Sequence, residues 1–369
     1  MADNSLIEWC DATCNAVNGC SVLSPGCTNC YAMKLAGTRL RNHPSRAGLT
    51  QPSKAGPVWT GEVRLNEDQL IQPLRWKRPR RIFWNAHGDL FHANVPDEWI
   101  DRVFAVCALT PQHTHMILTK RPERMREYIN DARTQGRIAL VIIDWLLDKV
   151  IAWREPWPVR SIGDIDEPTD LALTSWPLPN VWLGTSAEDQ TRADERIPHL
   201  LAAPAAKRFV SLEPLLGPVD LTPEADSTYQ RLSQWYGPQG FDETGSQPLQ
   251  TRMKGYFPRL DWVIVGGESG PGARPMHPDW ARSLRDQCAA AEVTFLFKQW
   301  GEWLPCHSED NADGCGRLCW PDDGRDIEAD FSDMGRHPIT SLQMQEFWKV
   351  GKKRAGRLLD GRMHSEFPA

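Results

Sequence analysis

The chain has 369 residues, of which 41% are hydrophobic and 24% charged, and its formal net charge at pH 7 is −6. This composition is ordinary for a globular protein, and the length suffices for one large α/β barrel or for two domains. No apolar run approaches membrane-spanning length, which argues against a membrane protein, and the negative charge argues against a wholly basic nucleic-acid coat. The polar start of the chain, Met1-Ala2-Asp3-Asn4-Ser5, is unlike a signal peptide, so we expect a cytoplasmic protein with reduced thiols.

Three cysteines near the N-terminus, Cys20, Cys27 and Cys30, form the most informative motif of the chain. They lie on a short predicted loop that leads directly into a predicted helix. Cysteine thiolates hold iron–sulfur clusters, and three of them leave the fourth iron of a 4Fe-4S cluster open for a small molecule such as S-adenosylmethionine. The gaps are six residues and then two, unlike the three and then two usual in radical enzymes. A zinc site and reduced structural thiols therefore stay open as alternatives.

The remaining cysteines are less specific. Cys10 and Cys14 lie close to the main motif and are alternative ligands, whereas Cys107 and Cys288 fall on helical patterns and are predicted to be core thiols. A late group permits zinc, a second cluster or chance clustering, and comprises Cys306, His307, Cys315 and Cys319.

Short apolar runs alternate with helical patterns along the chain. The runs lie at residues 81–85, 115–118, 181–184, 208–212, 262–265 and 294–297. The helical patterns cover residues 96–108, 122–132, 189–202 and 278–291. Continuous apolar runs suit strands that are buried on both faces of a parallel sheet. With a first strand before Cys20, they predict about seven strands in a parallel α/β fold, either a partial or complete (β/α) barrel or a doubly wound sheet.

Polar residues follow nearly every predicted strand: Asn85 and Asp89, Thr119 and Lys120, Thr185 and Glu188, Ser211 and Glu213, Glu268, and Lys298 and Gln299. In a barrel the carboxyl ends of the strands converge where active sites lie, so we expect a site there, although such residues also cap helices and fix loops. Gly266 and Gly267, before Glu268, either let the backbone approach a ligand closely or form a tight turn.

The rhythm of strands and helices is interrupted near residues 140–180 and 222–258, which we interpret as two insertions. We expect the barrel to occupy residues 1–320 and a basic C-terminal tail to occupy residues 321–369. Two basic clusters, residues 75–81 and residues 349–362, suit contacts with a phosphate backbone or, equally, a solvated surface.

An ordered set of motifs resembles the phage-encoded three-Cys-motif family. The motifs are Ile7-Glu8-Trp9, Gly19-Cys20, Ser24–Ala32, Asp89–His92, Leu118–Pro122, Trp182–Thr185, Ser211–Pro218, Val265–Gly270 and Ala355–Arg362. That family resembles radical S-adenosylmethionine enzymes. The resemblance implies a radical-SAM-like barrel, a 4Fe-4S cluster on Cys20, Cys27 and Cys30, S-adenosylmethionine as cosubstrate, and a partner protein named for the three-Cys motif.

With that resemblance, the strand-end residues acquire expected roles. The candidates for binding S-adenosylmethionine are Asn85, Asp89, Thr185, Ser186, Glu188, Ser211, Glu213, Gly266, Gly267 and Glu268. The candidates for binding a phosphate or carboxylate of the substrate are Lys120, Arg121, Lys298 and Gln299. We expect an iron–sulfur radical enzyme that acts on a nucleic acid or nucleotide, and the alternatives are a non-catalytic iron–sulfur or zinc protein that binds nucleic acid and a metal-dependent hydrolase.

Overall fold

Short strands and helices of ordinary length alternate through the computed structural model. It describes residues 5, 7–152, 155–162, 170–222, 256, 259–305, 339–342 and 345–369. The strands are β1 (Ala12–Cys14), β2 (Val17–Asn18), β3 (Thr50–Ser53), β4 (Gly56–Trp59), β5 (Arg64–Leu65), β6 (Arg81–Trp84), β7 (Thr114–Thr119), β8 (Val159–Ser161), β9 (Leu171–Leu173), β10 (Val181–Ser186), β11 (Lys207–Leu212), β12 (Trp262–Gly266), β13 (Thr294–Gln299), β14 (Trp303–Pro305), β15 (Ile339–Leu342), β16 (Gln345–Lys349), β17 (Leu358–Leu359) and β18 (Arg362–Met363). The helices are α1 (Tyr31–Gly37), α2 (Glu67–Leu70), α3 (Asp97–Leu109), α4 (Pro122–Asn130), α5 (Thr134–Leu147), α6 (Gln190–Leu201), α7 (Pro278–Ala290) and α8 (Lys352–Ala355).

The main sheet has seven strands in the order β1-β6-β7-β10-β11-β12-β13, which is also their order along the chain. The pairs β1–β6, β6–β7, β7–β10 and β12–β13 are parallel. Among the described residues, helices lie between successive strands from β1 to β11 and between β12 and β13. A doubly wound sheet reverses its strand order at a switch point, and this sheet does not. Since β1 and β13 lie at opposite ends of this strand order and are not neighbours in it, the predicted parallel α/β fold is confirmed as a partial (β/α) barrel.

Two compact units can be distinguished in the chain. The first consists of residues 1–24, 30–185 and 199–209, and the second of residues 25–29, 186–198 and 210–369. In the first, helix α3 buries Val103, Phe104 and Val106, while β6 and β7 bury Trp84 and Ile117. Burial of each such side chain is worth about 1.5–3 kcal/mol.

The second unit has an equally apolar centre. All five residues of β12 are buried, and Phe297 of β13 and Leu284 of α7 are fully buried. The strands are therefore apolar on both faces, as the sequence runs predicted. Pairs outside the main sheet are antiparallel, among them β8–β9 in the predicted insertion at residues 140–180.

Some expectations concern residues outside the described ranges. The expected barrel end at residue 320 lies there, as does nearly all of the predicted insertion at residues 222–258, so both stay predictions. In the part of the chain that is described, no helix combines the length and the hydropathy needed to cross a membrane.

Candidate functional site

The three-cysteine motif occupies an irregular loop that is shaped by local backbone geometry. Gly19 has a φ of 95°, and a Cβ there would lie 2.2 Å from the carbonyl oxygen of Glu62, so glycine is required before Cys20. A short 3-10 turn ends at Cys27, and helix α1 begins directly after Cys30. The loop and the helix that the sequence predicted are thus confirmed. All three cysteines are partly exposed.

A buried carboxylate, Glu188, holds the backbone of this loop in the second unit. The Gly26 N–H donates to Glu188 Oε1 at 2.9 Å, and Arg196 Nη1 donates to Glu188 Oε2 at 3.2 Å. The side chains of Glu188 and Arg196 are 0% and 3% exposed, so the negative charge is balanced in a dry environment. A Cβ at Gly26 would lie 3.0 Å from the carboxylate carbon, which explains the small residue beside Cys27.

A second carboxylate, Glu268, holds the same loop through two side chains. Asn29 Nδ2 donates to Glu268 Oε2 at 3.0 Å and to the carbonyl oxygen of Gly272 at 2.7 Å. Arg274 donates to both carboxylate oxygens, at 2.7 and 2.9 Å, and its Nη2 also donates to the Pro25 carbonyl oxygen at 2.9 Å. The segment 25–29 is therefore fixed at both ends.

Hydrogen bonding keeps Glu268 in its charged form. Burial acts to raise the pKa of Glu268, but the hydrogen bonds from Arg274 and Asn29 outweigh it and lower the pKa below its ordinary value. The sequence predicted Glu188 and Glu268 as ligands of S-adenosylmethionine. The structure shows a further role for both carboxylates: each binds the cysteine loop. The roles of Asn29, Arg196 and Arg274 were missed. Asn29 and Arg274 bind residues 239 and 249 positions away, which no local pattern reveals, and no motif pairs Arg196 with Glu188.

In the first unit, Arg121 connects the carboxylate of Asp89 to the cysteine motif. Arg121 Nη1 lies 2.8 Å from Asp89 Oδ2 and donates to Cys20 Sγ at 3.6 Å, while Nη2 donates to Ser21 Oγ at 2.9 Å. Asp89 also accepts from Thr119 Oγ1 at 2.7 Å. The cation predicted to bind substrate thus lies against a candidate metal ligand, where it can offset the charge of a thiolate.

Burial dominates the acidity of the Cys20 thiol. It raises the pKa of Cys20 to about 12; Asp89 adds to the rise and Arg121 opposes it. Such a thiol keeps its proton at neutral pH unless a metal ion displaces it, since a coordinated thiol is deprotonated outright.

The ends of β11 and β13 place a second ion pair in the second unit. Lys298 Nζ lies 2.6 Å from Glu213 Oε1, and Gln299 Nε2 donates to the same oxygen at 3.4 Å. Gln299 Oε1 is buried without a hydrogen-bond partner among the described residues. A Cβ at Gly266 would lie 3.3–3.4 Å from the side chains of Lys298 and Glu213, so glycine leaves room for this pair. The predicted residues Glu213, Lys298 and Gln299 are brought together.

Other predicted site residues form hydrogen bonds that involve backbone groups. Thr185 Oγ1 donates to the carbonyl oxygen of Thr119 at 2.9 Å. Asn85, with a φ of 59°, accepts from the Val17 N–H at 2.8 Å, and its Nδ2 is buried without a partner among the described residues. The Lys120 N–H donates to Asp89.

The same holds for three residues of the second unit. The carbonyl oxygens of Ser186 and Ser211 accept from Arg196 and from the Ala187 N–H, at 2.8 and 3.1 Å. A Cβ at Gly267 would lie 1.9 Å from the carbonyl oxygen of Trp300, so close packing requires this glycine. These contacts leave the predicted ligand roles untested.

No group of three or more His, Cys, Asp or Glu side chains is gathered closely enough to hold a metal ion in the described part of the chain. Cys10 and Cys14 are buried, and burial raises the pKa of Cys14. The late group of Cys306, His307, Cys315 and Cys319 lies outside the described residues. The predicted ligand set therefore stays a prediction.

These observations define a class of protein. It is a parallel partial barrel with a three-cysteine loop that carboxylates near the strand ends hold in place. The chain belongs to the family DUF5131, described as a protein of unknown function, whose model matches residues 4–368. No curated protein sequence matches it.

Solved structures of spore photoproduct lyase are remotely similar. The complex with dinucleoside spore photoproduct has a TM-score of 0.36 and 10% identity over 98% of this chain and 74% of that chain. A cysteine-to-serine variant of that lyase has a TM-score of 0.35 and 9% identity over the same shares.

Proposed function

We propose that this protein is an iron–sulfur enzyme of the radical S-adenosylmethionine type, with Cys20, Cys27 and Cys30 as cluster ligands. The observation that carries the proposal is the loop. Cys27 lies in the segment 25–29 that Glu188, Glu268 and their arginines hold, and the partly exposed Cys20 and Cys30 lie on either side of that segment in the chain. Burying two charged carboxylates to hold one loop costs desolvation free energy. Such an arrangement suits a loop whose metal ligands must be held in place.

The chemistry of the donor set fits such a cluster. Thiolates are its usual ligands, and three of them leave one iron open. Arg121 donates to Cys20 Sγ, and hydrogen bonds to ligating sulfur stabilise its negative charge and tune the cluster. A cluster bound here would supply an electron for cleavage of a carbon–sulfur bond of S-adenosylmethionine.

The protein's own residues would orient the reactants and exclude water. Asp89, which accepts from Thr119 Oγ1, fixes the guanidinium of Arg121. Glu268 and Arg274 fix the loop beside Cys27. Lys298 and Glu213 at the ends of β13 and β11 offer opposite charges for the amino and carboxylate groups of the cosubstrate or for a substrate phosphate.

We further propose a nucleic acid or nucleotide as substrate. The support is local: the chain is negative overall, yet exposed cations concentrate in two short segments, residues 75–81 and 349–362. Phage origin and a partner named for the three-Cys motif are further proposals that follow from the resemblance of the motifs. The cytoplasmic location expected from the sequence also stays a proposal.

Anaerobic purification followed by reconstitution with iron and sulfide tests the proposal. A brown protein that releases 5′-deoxyadenosine from S-adenosylmethionine after reduction is the expected result. A colourless protein that carries zinc and leaves S-adenosylmethionine intact would favour the non-catalytic nucleic-acid-binding alternative.

A further inference from the structure

A basic segment near the C-terminus packs against the end of strand β13. Residues 349–363, which we call the basic hairpin, contain six basic residues and one acidic residue, and include helix α8 and the antiparallel pair β17–β18. Arg357 Nε donates to the carbonyl oxygen of Lys298 at 3.0 Å, and Trp300 Nε1 donates to that of Leu358 at 2.8 Å. The hairpin is therefore fixed near the carboxyl end of β13, beside Lys298.

The start of the hairpin also lies close to the loop of Glu268. The N–H groups of Val350 and Gly351 donate to the carbonyl oxygen of Glu302, both at 3.1 Å, and the Glu302 N–H donates to that of Glu268 at 3.0 Å. The next residues along the chain are the cations of helix α8. Lys352 therefore directly follows Gly351, which is linked through the backbone of Glu302 to the backbone of Glu268.

Three consecutive cations of the hairpin are exposed, and its acidic residue is neutralised. Lys352, Lys353 and Arg354 are all exposed, whereas the next residue, Ala355, is buried beneath them. Asp360 binds Arg282 at 2.8 Å and Arg285 at 2.5 Å, both on helix α7. The exposed charge of this surface is therefore positive, despite the negative charge of the whole chain.

The other basic cluster lies at the amino end of its strand, whereas the candidate site residues follow the carboxyl end. Residues 75–81 precede β6, so they lie at its amino end, about 13 Å from the carboxyl end that leads to Asn85 and Asp89. Two of its cations also have internal partners: Arg80 lies 4.6 Å from the ring centre of Trp76, and Arg81 binds Asp11 at 3.0 Å.

From this placement we propose that the basic hairpin binds the sugar–phosphate backbone of a nucleic-acid substrate and leads it to the carboxyl ends of β12 and β13. The proposal rests on the proposed function for the choice of nucleic acid, and it assigns no role to the cluster at residues 75–81. Lysine and arginine that neutralise phosphates release counterions, so each contact adds about 0.7 to the slope of log affinity against log salt for single strands and about 0.9 for duplexes.

Two variants of equal charge and similar exposure test the proposal in the full-length protein. One carries Lys352→Gln, Lys353→Gln and Arg354→Gln; the matched control carries Arg75→Gln, Lys77→Gln and Arg78→Gln. Binding of labelled single-stranded and duplex DNA and RNA oligonucleotides is measured by anisotropy at several salt concentrations, and equal melting temperatures verify folding. We expect the first variant to lose about 2 units of slope for single strands and the control to keep the slope of the unmodified protein.

The proposal is overturned if both variants lose the same slope, if only the control loses it, or if the unmodified protein shows no salt-dependent binding. Iron content and 5′-deoxyadenosine release, measured on the same preparations, separate the two proposals. Cluster chemistry without oligonucleotide binding rejects the hairpin surface alone, whereas hairpin-dependent binding without cluster chemistry rejects the enzyme alone.

Discussion

The backbone N–H of Gly26 donates to the carboxylate of Glu188 at 2.9 Å, although 162 residues separate them in the chain. This hydrogen bond fixes the residue directly before Cys27 to Glu188, which follows strand β10 in the chain. Arg196 on helix α6 balances the same carboxylate. The cysteine loop is thus held by the part of the chain that the sequence predicted to bind cosubstrate.

Removing the charge of Glu188 tests how much the buried Glu188–Arg196 pair contributes to the stability of the fold and to iron binding. Glu188→Ala leaves the Arg196 cation buried without its partner, and breaking such a pair costs roughly 3–5 kcal/mol. We expect a large fall in the free energy of unfolding, measured with urea, and a loss of iron after reconstitution because Gly26 loses its acceptor.

A double variant separates the two effects. Glu188→Gln with Arg196→Gln removes both charges and keeps an acceptor for the Gly26 N–H, so we expect most of the stability and iron binding to return. If Glu188→Ala alone keeps full iron binding, the carboxylate does not position the loop.

The cysteines themselves give the most direct prediction. Single replacements of Cys20, Cys27 or Cys30 by alanine should abolish iron loading and the brown absorbance, because each thiolate would hold one iron. Cys107→Ala is the control, since this thiol is fully buried in helix α3 and is not part of the loop. It should lower stability slightly and leave iron content unchanged. Full loading of a triple alanine variant would refute the ligand assignment.

The arginine that joins Glu268 to the loop has a matched control on a neighbouring helix. Arg274→Gln removes the contacts with Glu268 and with the Pro25 carbonyl oxygen, whereas Arg282→Gln removes ion pairs with Asp279 and Asp360, neither of which belongs to the cysteine loop. We expect faster loss of iron to a chelator in the first variant alone. Equal rates in both variants would mean that Arg274 does not hold the loop.

A buried histidine predicts a pH dependence of stability. His115 is fully buried between Trp84, which donates to its Nδ1, and Thr110, 3.0 Å from its Nε2. Burial lowers the pKa of His115 to about 3, and His113 adds to the effect. Between pH 6.5 and 3 the unfolded chain therefore binds the proton and the folded chain does not, so this contribution is complete above pH 6.5 and is lost as the pH falls.

The size of that loss is measurable. At pH 5 the unfolded state gains about 2 kcal/mol from protonation of this one histidine. His115→Asn keeps an acceptor for Trp84 and does not titrate, so its stability should fall less than that of the unmodified protein between pH 7 and 5. Urea unfolding at both pH values gives the comparison, and equal losses in the two proteins would contradict the prediction.

How far the sequence predicts this molecule depends on the range of each interaction. The apolar runs and the alternation of strands and helices are local patterns; accordingly helix α4 begins at the predicted Pro122 and the sheet has the predicted seven strands. The anchors of the cysteine loop are not local: Asn29 and Glu268 are 239 residues apart. A single sequence identifies the carboxylates as candidates but contains no signal for which loop they bind.

Glu268 has two candidate roles, and Glu268→Gln distinguishes them. The glutamine keeps size and can still accept from Asn29, but it loses the charge that pairs with Arg274 at 2.7 Å. If Glu268 binds the amino group of S-adenosylmethionine, calorimetry on the reconstituted protein should show affinity weaker by roughly 1.5–3 kcal/mol at full iron content. Asn29→Ala serves as the reference for a pure loop defect, because it removes the loop contact and leaves the carboxylate charged. Affinity that falls equally in both variants, together with iron content, would assign Glu268 to the loop alone.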